Sequence, residues 1–463
     1  MEENKKVDKQ IVVRFPPSPT GEWHFGNVRT FVFNYLFAKQ NGGKIIMRFE
    51  DTDKARNKEG SEESQLAILA ALGLDFDEGP YRQSERTHIY KEYLHKMVES
   101  GHAYEGEENA DKTGKVIRIK NPNKEITWND LIKGEITINT NTFKDDSGNT
   151  DFIIGRSIDD PLYHFTVVVD DMLMGMTHIL RGEDHVTSTP RQILILEALG
   201  AQVPEYGHMP TILGENKKKL GKRNGALPVR TYLEMGYLPE ALLNGISLLG
   251  WNPGTEQEIF SKEELIKTFT LDKVQTHSAV FSGDKLDYIN KEHLKLLSDE
   301  DFIKGALQFF SAEEMEYINN NLEKNIKIIL KVFRERISKY IEIVNFYREG
   351  EINMFFDVLY NIDLKAFDKS KITFKNKDKE QSLEEVREML KQIKAKIENI
   401  NKEDWSVENL KAQIWDWSAD FGRGFVLHPL RTVMSLKEKS PDPFTIMEII
   451  GKEESLRRFN IFI

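Results

Sequence analysis

Two stretches of the chain carry residues whose types and spacing suit phosphate chemistry. In the first, His24 stands between Gly21 and Gly26. An imidazole can donate a hydrogen bond to a phosphate oxygen, and a glycine lets a phosphate or a base approach the backbone closely. In the second, residues 217–223 read KKKLGKR, and a mobile ammonium group neutralises negative charge as a phosphate group departs. A solvent-facing histidine and a solvated basic loop are the alternatives.

The elements around His24 place it at one edge of a predicted sheet. Residues 11–13 form a β-branched run that leads into a proline-rich loop, which no helix interior tolerates. Residues 30–39 are apolar nearly all round, as a buried helix is. Residues 44–49 form a second apolar run that ends in Glu50. Open α/β sheets bind ligands where their strands end, so this pattern predicts a ligand site there.

The first half of the chain continues this alternation of strands and helices, with one inserted segment. Helical spacing covers residues 59–72, and residues 79–86 predict a turn followed by the start of a helix. Residues 101–161 are polar with short alternating runs, which predicts an inserted mixed domain. We expect the sheet to resume with a strand at 162–173, which contains three successive valines. A helix is predicted from about residue 189.

The second half of the chain has a different character. The pattern becomes helical from about residue 231, and long Lys/Glu/Ile/Leu segments follow residue 290. These segments predict an α-helical bundle with few strands. The predicted fold class is therefore α/β followed by all-α.

Composition bounds the class of protein. A chain of 463 residues suggests about three domains. It contains no cysteine, which excludes disulfides and thiolate zinc sites. The first ten residues are charged and carry no apolar signal segment, and no long apolar run is present, so a cytoplasmic protein is expected. The net charge of −11 is weak evidence against nucleic-acid binding, because binding needs only a local basic surface.

The motifs around His24 carry a family resemblance. Residues 17–21 (PSPTG), the HFGN tetrad at 24–27, and Lys219-Leu220-Gly221-Lys222-Arg223 together resemble the bacterial-type glutamyl-tRNA synthetases, members of the class I synthetase family. HFGN corresponds to the family's HIGH element and KLGKR to its KMSKS loop. Two such elements in this order, about 200 residues apart, are specific, whereas a lone His-x-Gly-x would carry little weight.

The resemblance implies a two-step acyl transfer. The glutamate carboxylate attacks the α-phosphate of ATP, and the terminal ribose hydroxyl of tRNA(Glu) then takes the glutamyl group, releasing AMP and pyrophosphate. Mg²⁺ would enter with the ATP phosphates. The resemblance also implies a monomer, a Rossmann-like catalytic domain and an α-helical anticodon-binding domain. Some relatives hold zinc through cysteines, which this chain cannot do, so no zinc is expected.

Residue roles follow from the resemblance position by position. The catalytic candidates are His24, Lys219 and Lys222. The ATP-binding candidates are the same three residues with Gly26, Asn27, Glu183 and Asp184. The glutamate-binding candidates are Arg14, Ser18, Glu50, Tyr163 and Arg181. Arg431 is the candidate for anticodon binding. No protein residue is assigned to a metal.

Domain boundaries follow in the same way. We expect the first half of the catalytic domain at 1–100, an acceptor-end-binding insertion at 101–161, the second half with the lysine loop at 162–230, a stem-contact region at 231–300, and the anticodon-binding domain at 301–463. Asn27 and Gly221 depart from the family's usual His and Ser. They leave open a non-catalytic or weakly catalytic tRNA-binding paralogue. An enzyme that also charges tRNA(Gln) is a further alternative.

Overall fold

A computed structural model describes residues 10–109, 112–145, 148–221, 227–321, 326–355, 369–377, 380–437 and 440–463. The chain divides into two units, Met1–His293 and Leu294–Ile463. The first unit is a mixed α/β structure and the second is helical. This agrees with the fold class expected from the sequence.

The first unit opens with three parallel strands and the helices that connect them. These elements are β1 (Val12–Phe15), α1 (Phe25–Gln40), β2 (Lys44–Phe49), α2 (Ser61–Ala71), β3 (Glu78–Arg82) and α3 (Thr87–Glu99). The strands lie in the order β1-β2-β3. The buried helix predicted at 30–39 is confirmed as part of α1, whose Phe31, Phe33 and Leu36 are fully buried. Burial on all sides explains why this helix is apolar nearly all round.

The turn predicted at Gly79 is wrong. Residues 78–82 form β3, in which Tyr81 pairs with Arg48 and Arg82 with Phe49 of β2. Gly79 and Pro80 resemble a turn in sequence, but β2 supplies a paired neighbour that outweighs this local preference. A short 3-10 turn and α3 then follow, as expected for the second part of the segment.

Antiparallel strands interrupt the parallel sheet after α3. They are β4 (Ala103–Asn109), β5 (Lys112–Ile119), β6 (Glu125–Asp130), β7 (Gly134–Asn139), β8 (Ile153–Ser157) and β9 (Asp160–Pro161). β4, β5, β8 and β9 form one sheet, and β6 pairs with β7. Antiparallel pairing can use short local connections, whereas parallel strands need crossovers. In β6 exposed and buried residues alternate, because successive side chains of a strand point to opposite faces, and this explains the alternating polar pattern of the segment.

The chain then returns to the parallel layer through a helix. The elements are α4 (Tyr163–Leu173), β10 (His178–Gly182), α5 (Thr189–Ala198), β11 (Glu205–Met209) and β12 (Ile212–Leu213). The strand predicted at 162–173 is therefore wrong. Val167, Val168 and Val169 are all buried within α4. Their burial against neighbouring elements outweighs the preference of β-branched residues for strands.

The sheet of β1, β2 and β3 lies beside the pair of β10 and β11, with β1 next to β10. β10 pairs in parallel with β11. Just before β10, the Thr177 N–H donates to the Val12 carbonyl oxygen at 3.0 Å, and the Thr177 hydroxyl accepts from the Val12 N–H at 2.8 Å. Strand β1 therefore has β2 on one side and β10 on the other. In open α/β sheets such a switch point forms a crevice beyond the strand ends.

Helices complete the first unit. They are α6 (Val229–Glu234), α7 (Pro239–Ser247), α8 (Lys262–Thr268) and α9 (Gly283–Leu296), with a short strand β13 (Ala279–Val280) beside β12. α7 and α8 pack against α1. Trp251 and Phe269 contact each other in this core, with ring centroids 5.5 Å apart.

The second unit contains the eight helices from α10 onward among its described residues. They are α10 (Asp299–Leu307), α11 (Ala312–Asn321), α12 (Ile326–Arg334), α13 (Ile341–Arg348), α14 (Leu383–Ile397), α15 (Val407–Ile414), α16 (Arg423–Ser435) and α17 (Pro443–Phe462). The helical bundle expected after residue 290 is confirmed. Within the described residues, no helix combines the length and the apolar character needed to cross a membrane.

Candidate active site

A cleft of about 710 Å³ opens at the carboxyl ends of β1 and β10. It brings together eleven of the residues predicted to form the site. They are Arg14, Ser18, His24, Gly26, Asn27, Glu50, Tyr163, Arg181, Glu183, Asp184 and Lys219. Lys222 lies outside the described residues, and Arg431 lies in the second unit. Residues far apart in sequence therefore line one crevice at the switch point.

His24 caps the N-terminus of α1. Its Nδ1 accepts a hydrogen bond from the Gly26 N–H at 3.0 Å, and its own N–H donates to Asn27 Oδ1 at 3.3 Å. The pair forms a capping box, which satisfies N–H groups that a helix start leaves without partners. Because Nδ1 accepts, the neutral imidazole carries its proton on Nε2.

The structure gives Gly26 a different local reason from the one expected. A Cβ on residue 26 would lie 2.9 Å from His24 Cε1 and 3.0 Å from His24 Nδ1. The space that a side chain would need is thus taken by the imidazole ring. Glycine at 26 lets His24 fold back over the helix start.

Arg14 lies near the carboxyl end of strand β1 and lines the cleft. Its Nε donates to Asp171 Oδ1 at 3.3 Å, and the side chain is almost fully buried. Its Nη1 is buried without a hydrogen-bond partner. A buried guanidinium nitrogen without an acceptor is costly, so this edge of Arg14 is suited to an incoming anion.

Two adjacent carboxylates on α4 hold this side of the site. Asp171 also accepts from Arg48 at 2.8 Å, and Asp170 pairs with Arg86 at 2.8 Å. Asp170 further accepts hydrogen bonds from Gln83 and Tyr90. Sequence reasoning missed Asp170, Asp171 and Arg48. The signal was two carboxylates within an apolar run, because buried charges need partners.

Glu50 lies at the bottom of the same side of the cleft. Burial raises the pKa of its carboxyl to about 7, although Arg48 and Arg14 oppose the shift. Arg48 Nη2 lies 3.5 Å from Glu50 Oε1. A carboxylate that titrates near neutrality in this setting is well suited to receive a cationic group, which would stabilise its charged form.

Arg181 is a buried cation that lines the same cleft. Its Nη1 donates to Gln192 Oε1 at 2.7 Å and its Nη2 to Thr189 Oγ1 at 2.8 Å. Burial lowers the pKa of the guanidinium. No described carboxylate forms an ion pair with Arg181. Buried charges are normally paired, so the site is electrostatically ready for an acidic ligand.

Glu183 and Asp184 differ in their surroundings. Glu183 accepts from Lys133 Nζ at 2.7 Å and from the Thr211 N–H at 2.6 Å. Although burial alone would raise it, these contacts lower the pKa of Glu183 to about 2. Both Glu183 oxygens therefore have protein partners. Asp184 is exposed and lies 3.4 Å from Lys219 Nζ.

The described part of the lysine loop folds back on β12. Lys219 forms an antiparallel bridge with Leu213, and the Leu220 N–H donates to the Ile212 carbonyl oxygen at 2.8 Å. The bridge directs Lys219 toward the cleft, where it meets Asp184. Tyr163, at the start of α4, and Ser18 line the cleft with partly exposed hydroxyl-bearing side chains.

Aromatic side chains of the second unit lie both in its core and at its surface. Trp405 is a core residue whose Nε1 donates to the Met447 carbonyl oxygen at 2.8 Å. Trp415 is 39% exposed, and the Arg423 guanidinium carbon lies 4.7 Å from its ring centroid. Arg431 lies on α16 with its Nε buried and without a hydrogen-bond partner.

Over the described ranges no group of three or more His, Asp or Glu side chains is arranged to hold a metal ion.

The family model described as "tRNA synthetases class I (E and Q), catalytic domain" matches residues 10–115 and 107–288, and an anticodon binding domain model matches residues 278–463. The glutamate–tRNA ligase of Bacillus subtilis is 36% identical over 98% of this chain and 99% of its own length. That of Aquifex aeolicus is 46% identical over 68% of this chain and 74% of its own.

Solved structures agree with these relatives. A glutamate tRNA ligase from Elizabethkingia meningosepticum, determined in complex with its amino acid, has a TM-score of 0.79 and 32% identity and covers 98% of this chain and 99% of its own. The glutamate-tRNA synthetase of Elizabethkingia anophelis has a TM-score of 0.76 and 31% identity, with coverage of 98% and 100%. The chain belongs to the class I tRNA synthetases of the glutamyl and glutaminyl group.

Proposed function

We propose that this chain is a glutamate–tRNA ligase. It activates L-glutamate with ATP to glutamyl-adenylate and transfers the glutamyl group to the terminal ribose hydroxyl of tRNA(Glu). In the first step a carboxylate oxygen of glutamate bonds to the α-phosphorus and pyrophosphate leaves. In the second step the ribose oxygen bonds to the glutamyl carbon and AMP leaves. The protein contributes mainly positioning and charge stabilisation.

The charges on the walls of the cleft carry this proposal. L-Glutamate has two carboxylates and one ammonium group. The cleft offers the guanidinium groups of Arg14 and Arg181 and the carboxyl of Glu50. Arg181 takes the side-chain carboxylate, because it is a buried cation without a described carboxylate partner and a charge-assisted hydrogen bond would stabilise it. Glu50 takes the ammonium group, and Arg14 the remaining carboxylate, with Ser18 and Tyr163 as hydroxyl donors.

ATP occupies the side of the cleft near α1. His24 Nε2 donates to the triphosphate, next to the N–H groups of the helix start at Gly26 and Asn27. Lys219 and Lys222 neutralise charge as pyrophosphate departs. Asp184 lies on the adenosine side, and Glu183 acts there by fixing the backbone at Thr211. Mg²⁺ arrives with the phosphates and needs no dedicated protein ligands.

Transfer RNA contacts the chain along its length in this proposal. The insertion at 101–161 takes the acceptor end, 231–300 contacts the stem, and 301–463 reads the anticodon. The two catalytic segments are 1–100 and 162–230. Arg431 is proposed to contact an anticodon base, because unstacked bases bind well against arginine planes. The enzyme acts as a monomer.

A single aminoacylation assay tests the function. The purified chain is given ATP, Mg²⁺ and radiolabelled glutamate or glutamine, with purified tRNA(Glu) or tRNA(Gln). We expect charging of tRNA(Glu) with glutamate. Glutamate on both tRNAs would mean a non-discriminating enzyme. Binding of tRNA(Glu) without charging, and without exchange of pyrophosphate into ATP, would contradict the proposal and favour a non-catalytic paralogue.

A further inference from the structure

Three buried side chains form a line of hydrogen bonds that ends at Arg181. Asp130 is the last residue of β6, His208 lies on β11, and Arg181 lies on β10. Their exposed fractions are 2%, 0% and 5%. His208 Nδ1 lies 2.5 Å from Asp130 Oδ2, and Arg181 Nε donates to His208 Nε2 at 3.1 Å. Neither Asp130 nor His208 lines the cleft.

The line fixes one tautomer of His208. The Asp130 carboxylate can only accept, so the proton must sit on His208 Nδ1 and leave Nε2 as an acceptor. Arg181 Nε–H needs that acceptor. With the proton on Nε2 instead, that N–H would face Arg181 Nε–H, and only Thr189 Oγ1, 3.1 Å from Nε2, could accept from it. Burial lowers the pKa of His208, which keeps the ring neutral, although Asp130 opposes the shift.

Other contacts also hold the guanidinium in place. Gln192 and Thr189 accept from its two terminal nitrogens, and the Tyr206 ring centroid lies 5.4 Å from its central carbon. Tyr206 in turn stacks on His208, with ring planes 4° apart. His208 thus supports Arg181 in two ways. Its Nε2 accepts from Arg181, and its ring stacks on Tyr206, which lies against the guanidinium.

We propose that Asp130 and His208 are positioning residues that orient Arg181 for the carboxylate of the substrate. They thereby set the KM for glutamate and the preference for glutamate over glutamine. This inference rests on the proposed function, because it assumes that Arg181 receives the glutamate side chain. It adds that a residue of the antiparallel insertion controls the amino-acid pocket.

Asp130→Asn tests the tautomer without changing shape. Asp130 Oδ1 accepts from the N–H groups of Ile132, Lys133 and His208 at 3.0–3.1 Å. The amide oxygen must therefore stay at that position, and the new NH₂ group faces His208 Nδ1. The ring must then accept at Nδ1 and carry its proton on Nε2. That N–H can donate to Thr189 Oγ1, 3.1 Å away, but Nε2 no longer accepts from Arg181 Nε–H.

Two substitutions at His208 separate its two hydrogen bonds. In His208→Asn the shorter amide can still donate to Asp130 but offers Arg181 no acceptor. In His208→Gln the longer amide places an acceptor near the former Nε2. His178→Asn on the neighbouring strand β10 is the matched control, because His178 contacts Thr177 and Phe37 and does not line the cleft.

The measurement is steady-state charging of tRNA(Glu) with saturating tRNA, varying glutamate and then ATP. We expect Asp130→Asn and His208→Asn each to raise the glutamate KM by about tenfold or more. The kcat should stay within about threefold and the ATP KM should not change. His208→Gln should recover part of the loss, and His178→Asn should match the wild type. The double variant Asp130→Asn/His208→Asn should be no worse than either single variant, since both remove one interaction. Selection against glutamine should fall in parallel with the glutamate KM.

Each failure has its own meaning. An unchanged glutamate KM in Asp130→Asn, in an enzyme whose wild type charges tRNA(Glu), overturns the inference and leaves the function intact. A general loss of kcat with a lowered melting temperature also overturns it, since that outcome marks a purely structural role. If His208→Asn does not fold, the nearly isosteric Asp130→Asn decides. A wild type that does not charge tRNA(Glu) overturns the proposed function, and the inference with it.

Discussion

Substitutions at His24 should separate helix capping from phosphate binding, because one side chain does both. His24→Asn keeps an N-cap acceptor but removes the imidazole. His24→Ala removes both. Gly26→Ala keeps the imidazole but forces it out of place, since the new Cβ would lie 2.9 Å from His24 Cε1. The three variants therefore separate a loss of stability from a loss of activity.

The stability changes can be worked from the cap. Replacing an N-cap residue by alanine costs about 1 kcal/mol, whereas asparagine is among the best caps. A loss of about 1 kcal/mol in a unit of this size lowers the melting temperature by about 2 °C. His24→Asn should melt like the wild type and His24→Ala about 2 °C lower. In Gly26→Ala the lost cap is offset by the helix propensity of alanine, worth about 1 kcal/mol, so its melting temperature should hardly change.

The expected changes in activity do not follow the changes in stability. Removing one preorganised donor to developing charge typically costs about 10²–10³ in kcat. All three variants should lose activity on this scale in tRNA-dependent charging. The assay pairs a thermal melt with kcat for each variant. A fully active His24→Asn would show that the imidazole is dispensable, and a His24→Asn that melts as low as His24→Ala would refute the capping role.

Three further outcomes are expected. Arg181→Gln should raise the glutamate KM by about a hundredfold, since a guanidinium–carboxylate pair is lost, and an unchanged KM would exclude it from the pocket. For the wild type, kcat/KM for glutamate should rise as the pH increases through about 7, because Glu50 must lose its proton to receive the ammonium group; Glu50→Gln should lack this rise, and a retained rise would assign it to another group. Asp171→Asn should lower the free energy of unfolding by about 3–5 kcal/mol, because Arg14 and Arg48 are buried against it, and urea denaturation showing less than about 1 kcal/mol would contradict this.

The sequence predicts the parts of the fold that depend on local pattern. The strand, loop and helix around His24 follow from residue spacing, and the residues at the ends of β1 and β10 do line one cleft. Local pattern fails where neighbouring elements decide the outcome. The three valines of α4 favour a strand in isolation, and Gly79-Pro80 favours a turn, yet packing and strand pairing give the opposite results.

The residues that hold the site residues in place could not be predicted from the sequence for a different reason. Arg14 and Asp171 are 157 residues apart, and Asp130 and His208 are 78 apart. Nothing in one chain indicates which distant charged side chains meet. The role of Lys222 and the proposed domain boundaries stay predictions.

Because His24 also caps α1, its presence in a related sequence is weak evidence that the protein is still an active synthetase. A copy of this protein that stopped making glutamyl-tRNA would still be less stable without a good cap at the start of α1, a largely buried helix. Mutational drift would therefore remove this histidine slowly, and mainly in favour of serine, asparagine or aspartate. Screens for decayed synthetase genes should give more weight to losses at Arg181 or Glu50, where the folded chain gains little from keeping a buried charge.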